Sequence, residues 1–130
     1  MQVKTTLRIG AADAHYGGGL VDGAYLLKVF GDLATEICIR HDGDEGLFRA
    51  YTSVEFLAPL RAGDFVEATA ELVSVGRTSR RIRFAAVKLI AARPELGPSA
   101  ADVLMQPVQV ATADGVVVVP LACQRLGGIS

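Results

Sequence analysis

The sequence predicts an α+β fold, an antiparallel sheet wrapped around one long helix, and two observations carry that expectation. Residues 21–40 form the one stretch with a helical period, which puts Leu26, Val29, Phe30, Leu33 and Ile37 on a single face. After residue 46 the chain reads as strand after strand, joined by short turns. Helix and strands segregated along the chain in this way build α+β domains rather than a parallel α/β sheet.

Residues 2–9 read as a first strand because Val3, Thr5, Leu7 and Ile9 alternate with polar positions. A Gly/Ala/Asp loop covers 10–20 and feeds the helix, which HDGDEG at 41–46 ends as a polar turn. Strands follow over 47–59, with Val54 and Phe56 on one face and Glu55 on the other, then over 64–75 and 80–92, separated by PLRAGD and by GRTS. A Pro- and Gly-rich loop at 93–100 leads to a strand over 103–112, where Pro107 marks an edge or a bulge. ADG at 113–115 is read as a turn into VVVVPL, and the tail CQRLGGIS is expected to fray. There is no internal repeat or linker, so the expectation is a single domain spanning 1–130. One helix cannot cover both faces of such a sheet, and the remaining apolar face and strand edges predict at least a dimer.

Composition narrows the function. Thirteen basic residues face 14 acidic ones, which argues against a nucleic-acid binder. No apolar run approaches a membrane span, and no positive–apolar–small pattern opens the chain, so a cytoplasmic protein is expected. Cys38 and Cys123 lack metal-ligand spacing and are expected as reduced, buried thiols; with only two histidines beside them, a structural zinc site is not predicted.

The chemistry concentrates in HYGGGLVDGAYLL. A helix start offers unpaired N–H groups and the positive end of the helix dipole, and glycine lets a ligand oxygen approach them. Gly23 and Gly18 are therefore candidates for contact with a carbonyl oxygen. Asp22, at the first turn, is a helix cap or a carboxylate facing a substrate. His15 could act as acid or base near neutral pH. Asp32 lies on the stripe Tyr25, Lys28, Asp32, Glu36, where Lys28–Asp32 and Glu36–Arg40 also have the spacing of surface ion pairs. Arg49, Tyr51 and Glu55 share a strand face by period two and become polar site residues if that face lines a pocket. Arg77, Arg80 and Arg81, with Ser79, cluster where arginine could grip phosphate.

The glycine loop (Gly17–Gly19, then Asp22-Gly23), VEFLAPLRAGDFVEATAEL at 54–72, VGRTSRR at 75–81 and PVQVATADGVVVVP at 107–120 resemble the hotdog fold, in its acyl-CoA thioesterase-like branch. Those thioesterases carry an Asn in the loop, Gly-Gly at the helix start and an acid about two turns into the helix. Here His15 stands near the Asn position, Asp22-Gly23 replaces Gly-Gly, and Asp32 falls one or two positions from the helix acid. DAHYGG-LVDGA, FGDLATE, IRHDGDEGLFRAY and VEFLAP are more similar to the 3-aminobutyryl-CoA and β-alanyl-CoA ammonia-lyases.

That resemblance implies reversible elimination of ammonia from a 3-aminoacyl-CoA such as 3-aminobutyryl-CoA, giving a 2-enoyl-CoA such as crotonyl-CoA, as in lysine fermentation. It implies Asp32 as first choice for the base, with Asp22 and His15 behind it. Gly23 would hold the thioester oxygen, and the VGRTSRR turn would anchor the coenzyme. No cofactor is expected beyond the coenzyme A of the substrate, and no metal. The partners implied are an acyl-CoA, ammonia and further copies of the chain, as a homodimer or a trimer of dimers. The alternatives are an acyl-CoA thioesterase, an enoyl-CoA hydratase using Asp13 and His15, and a non-catalytic acyl-CoA sensor.

Overall fold

A computed structural model describes residues 1–126. Five antiparallel strands form one sheet: β1 (Gln2–Arg8), β2 (Leu47–Phe56), β3 (Phe65–Val75), β4 (Ser79–Ala92) and β5 (Ala101–Val118), in the order β1-β3-β4-β5-β2. The helix α1 (Gly23–Asp42) packs on one face of it. Leu26, Phe30, Leu33, Ala34, Ile37 and Cys38 of α1 are buried there. Alternate positions meet them: Val66, Ala68 and Ala70 on β3, Ile82, Phe84 and Ala86 on β4, Ala111, Ala113 and Val117 on β5. The many alanines let the helix approach closely, and Phe30 stacks on Phe84 with ring centroids 5.0 Å apart.

The expected elements are present, with three corrections. First, ADG at 113–115 is not a turn. Ala113, Asp114 and Gly115 lie inside the 18-residue β5, paired on one side with β2 and on the other with β4. Gly115 serves close approach instead, since a Cβ there would sit 2.7 Å from the Phe48 ring. Pro107 falls where the β4–β5 register shifts, in the unpaired stretch between Val103 and Val108.

Second, the helix continues through His41 and Asp42, both buried, and ends at Gly43 with φ 74°, whose N–H donates to the Ile39 carbonyl. The reason is Arg80, whose side chain reaches in from β4 to bind Asp42. Third, the described part of the tail does not fray. Arg125 N–H donates to the Asp42 carbonyl at 2.8 Å, and the Gln124 amide donates to the Arg77 and Val119 carbonyls. Residues 127–130 lie outside the described part. Cys38 and Cys123 are free thiols; Cys38 is buried, and burial pushes it up to about 11, whereas Cys123 is half-buried. No helix among the described residues is long and apolar enough to cross a membrane.

Candidate active site

The glycine loop is tied down where it approaches α1. Tyr16 N–H donates to the Leu20 carbonyl, Ala62 N–H to Gly19, and Val21 N–H to Leu60. Gly18 and Gly19 reverse the chain with φ near +73° and +72°, a conformation costly for residues bearing a Cβ. The chain then enters α1 through Asp22, which caps it: the Asp22 Oδ1 accepts from Tyr25 N–H at 3.1 Å. The second oxygen, Oδ2, lies 2.5 Å from His15 Nε2. The His15 hydrogen bond, helped by Tyr25 N–H, holds the Asp22 carboxyl below the usual carboxylate range. With Nε2–H donated to Asp22, the remaining lone pair of the imidazole is on Nδ1.

A cavity of about 370 Å³ opens at Asp22, one residue of this pair. Asp22 and Gly23 form its polar rim, and Leu26, Phe56, Leu57, Ala58, Leu60 and Val110 are among its apolar walls. The backbone N–H groups of Gly23 and Ala24 have no partner among the described residues, as expected for a first helical turn. Gly23 is also demanded by packing: a Cβ would stand 2.5 Å from the Phe56 ring. The site thus combines an apolar slot, unpaired donors at a helix N-terminus and a carboxylate, and that carboxylate is bonded to a histidine with a spare nitrogen. Such a set can hold a short acyl thioester, stabilise negative charge on its oxygen and move a proton.

The other candidates sort differently. Gly18 lines a separate cavity of about 460 Å³ with Arg61, Asp64, Lys88 and Arg93. Asp32 is exposed, nine residues along α1 from Gly23, hence about 14 Å away along the axis. Within one copy it cannot join His15 and Asp22. Glu36–Arg40 forms its ion pair at 2.9 Å, whereas no Lys28–Asp32 pair occurs among the described residues.

Period two fails on β2. Bulges between Phe48 and Ala50 and between Tyr51 and Ser53 insert extra residues and reset the alternation. Tyr51 therefore turns inward, donates its hydroxyl to the Leu27 carbonyl at 2.6 Å and is pushed up to about 12 by burial. Glu55 pairs across to Thr112 and is exposed on the opposite face. The expected shared face of Tyr51 and Glu55 is corrected accordingly.

Arg80 is corrected as well. It is 2% exposed; its Nε and Nη2 donate to Asp42 Oδ2 and Oδ1 at 2.8 and 2.7 Å and its Nη1 to the Gly76 and Ser79 carbonyls, so its guanidinium is buried and committed within the protein rather than open to a phosphate. Alternation on β4 turns Arg80 inward and Arg81 outward. Arg77 and Arg81 are exposed and Ser79 half-buried. Because Asp42 ends α1, their hairpin lies at the far end of the 20-residue helix, about 30 Å from Gly23 in the same copy.

Two features of the site were not expected from the sequence. The partner of His15 is Asp22 and not Asp13; the signal is a His seven residues before a helix cap across a reversing glycine run. Phe56 is a wall of the site, and it meets Gly23 only through the tertiary fold, so no local pattern signals it. Among the described residues no group of three or more His, Cys, Asp and Glu side chains could hold a metal ion.

One long helix on this sheet, with a glycine loop feeding a capped helix start, is the architecture of a hotdog domain. The family model described as Thioesterase superfamily matches residues 18–88, and the chain belongs to that superfamily. Within it, the chain is 53% identical over 125 residues to the 3-aminobutyryl-CoA ammonia lyase of Acetoanaerobium sticklandii, covering 96% of this chain and 99% of that protein. Its structure matches that of β-alanyl-CoA:ammonia lyase from Clostridium propionicum with a TM-score of 0.91 and 35% identity, over 96% of this chain and 89% of that one. A hexameric hotdog fold thioesterase of Campylobacter jejuni matches at TM-score 0.73 and 16% identity, over 97% and 88%, and shares the fold.

Proposed function

We propose that this chain is a carbon–nitrogen lyase that reversibly eliminates ammonia from 3-aminobutyryl-CoA to give crotonyl-CoA. The observation that carries the reading is the His15–Asp22 pair beside the unpaired N–H groups of the α1 start. The near-full-length relation to a protein named for this reaction supports it.

The thioester oxygen accepts from the Gly23 and Ala24 N–H groups, so negative charge developing on it meets donors already in place. His15 Nδ1 takes the proton from the α-carbon. That electron pair forms the new C=C bond as the C–N bond breaks. The bonding pair leaves with nitrogen, so a substrate ammonium departs as neutral ammonia. The imidazolium then passes its proton to ammonia, which leaves as ammonium. Asp22 holds the imidazole by Nε2–H and, lying on the cavity rim, favours the positive charge of the substrate amine before it goes. Coenzyme A enters only as part of the substrate, and the thioester itself acidifies the α-hydrogen, so the proposed reaction uses no other cofactor.

The assembly proposed is a homo-oligomer, a homodimer or a trimer of dimers. β2 is an edge strand, and Leu47, Phe56 and Leu57 beside it are 68%, 55% and 49% exposed. Antiparallel pairing of two such edges sets the helices side by side in opposite directions. Asp32 and the 76–81 hairpin of one copy then approach the helix start of the other, which gives Arg77, Ser79 and Arg81 a coenzyme to grip and Asp32 a substrate ammonium to face. No nucleic acid or membrane partner is proposed. A reducing cytoplasm fits the two free thiols.

The test is mass spectrometry of the product from crotonyl-CoA with ammonium at mildly alkaline pH. An adduct heavier by one ammonia is expected. Free coenzyme A overturns the reading in favour of a thioesterase, and a water adduct in favour of a hydratase.

A further inference from the structure

Asp22 anchors one nitrogen of His15, but a single hydrogen bond leaves an imidazole free to swing about it. The structure supplies a second restraint. The Tyr16 ring stacks on His15 with centroids 4.9 Å apart and planes inclined by 14°. Both side chains are exposed, His15 at 60% and Tyr16 at 57%, so neither is held by surrounding core. Tyr16 is fixed through its backbone. Its N–H donates to the Leu20 carbonyl at 3.1 Å, and Leu20 is bridged in turn to Arg61. The Tyr16 hydroxyl makes no hydrogen bond among the described residues; the ring face is what it offers.

We propose that Tyr16 is a positioning residue for the proton-transferring histidine. Its ring face fixes the plane of the His15 imidazole, keeping Nε2 on Asp22 and presenting Nδ1 outward to the substrate α-carbon. The role rests on His15 acting as the base. Holding the acting nitrogen in line matters because a small misplacement of a catalytic group costs rate without costing binding.

The test compares Tyr16→Leu, Tyr16→Phe and His15→Gln in the full chain, with kcat and KM for ammonia addition to crotonyl-CoA. Proton NMR follows the His15 Cε1–H, assigned by its loss in His15→Gln. Tyr16→Leu is expected to lower kcat about tenfold with KM within about twofold. The same change removes the ring-current displacement of the His15 resonance, and Tyr16→Phe keeps both. The proposal is overturned if Tyr16→Leu keeps its kcat, if Tyr16→Phe falls as far as Tyr16→Leu, or if the resonance does not move. An inactive His15→Gln beside a fully active Tyr16→Leu sinks the positioning role alone. An active His15→Gln sinks the base assignment and the positioning role with it.

Discussion

The two ends of α1 carry the same pair of residue types in opposite states. At the start, Asp22 is half-buried on a cavity rim beside unpaired N–H groups and is bonded to the exposed His15, which keeps a spare imidazole nitrogen. At the end, Asp42 and His41 are 1% and 2% exposed, and Arg80 takes both oxygens of Asp42. His41 Nδ1 sits 3.0 Å from Asp42 Oδ1 without making a hydrogen bond, a buried atom without a partner among the described residues. An acid beside a histidine is therefore not a site by itself. Burial with a matched guanidinium turns it into a clamp between helix and sheet, while exposure with unused capacity leaves it able to do chemistry.

The comparison breaks first at its exposed end. His15→Gln is expected to lower turnover by about 10²–10⁴-fold, the usual contribution of a general base, with the melting temperature unchanged. If Asp32 acts from a neighbouring copy, co-expressing Asp32→Asn with His15→Gln restores activity that neither variant has alone; assays of the mixed oligomer check this.

At the buried end, Asp42→Asn strands the Arg80 charge and is expected to cost about 3–5 kcal/mol of stability, measured by denaturant unfolding. Turnover per folded molecule should survive. Arg80 holds the Asp42 carboxyl below its ordinary range in the folded chain. Its stabilising contribution is therefore complete above the unfolded carboxylate pKa of about 4 and is lost as pH falls below that. Melting curves from pH 6 down to pH 3 should decline in the parent and flatten in Asp42→Asn.

Gly23→Ala tests whether the site start is also a packing position. The added methyl meets the Phe56 ring, so a loss of about 1–3 kcal/mol is expected together with reduced turnover. Phe56→Ala in the same chain should restore the stability. The smallest expected effect is at the hairpin: Arg77→Ala with Arg81→Ala should raise KM for crotonyl-CoA about tenfold and leave kcat in place. An unchanged KM removes the hairpin from the coenzyme site.

Much of the fold was legible because its signals are local. The 3.6-residue period of α1, the alternation of β3 and β4 and the bulge at Pro107 depend on near neighbours in the chain. The helix-start candidates Asp22, Gly23 and His15 were legible for the same reason: capping and glycine chemistry act within a turn or two.

Some outcomes were decided only by the tertiary structure. Ala113-Asp114-Gly115 has turn chemistry, yet strands on both sides pair with it, and the space a side chain would need at Gly115 belongs to Phe48. Two bulges, invisible to a period-two count, turned Tyr51 inward and left Glu55 outside. Arg80 looked like its exposed neighbours until Asp42, 38 residues earlier, claimed it. Local patterns in the chain were enough to specify the helix, the strands and the reactive residue types at the helix start. Which polar groups remain free to act was decided by packing, because a charge becomes structural or chemical according to what distant segments bring against it.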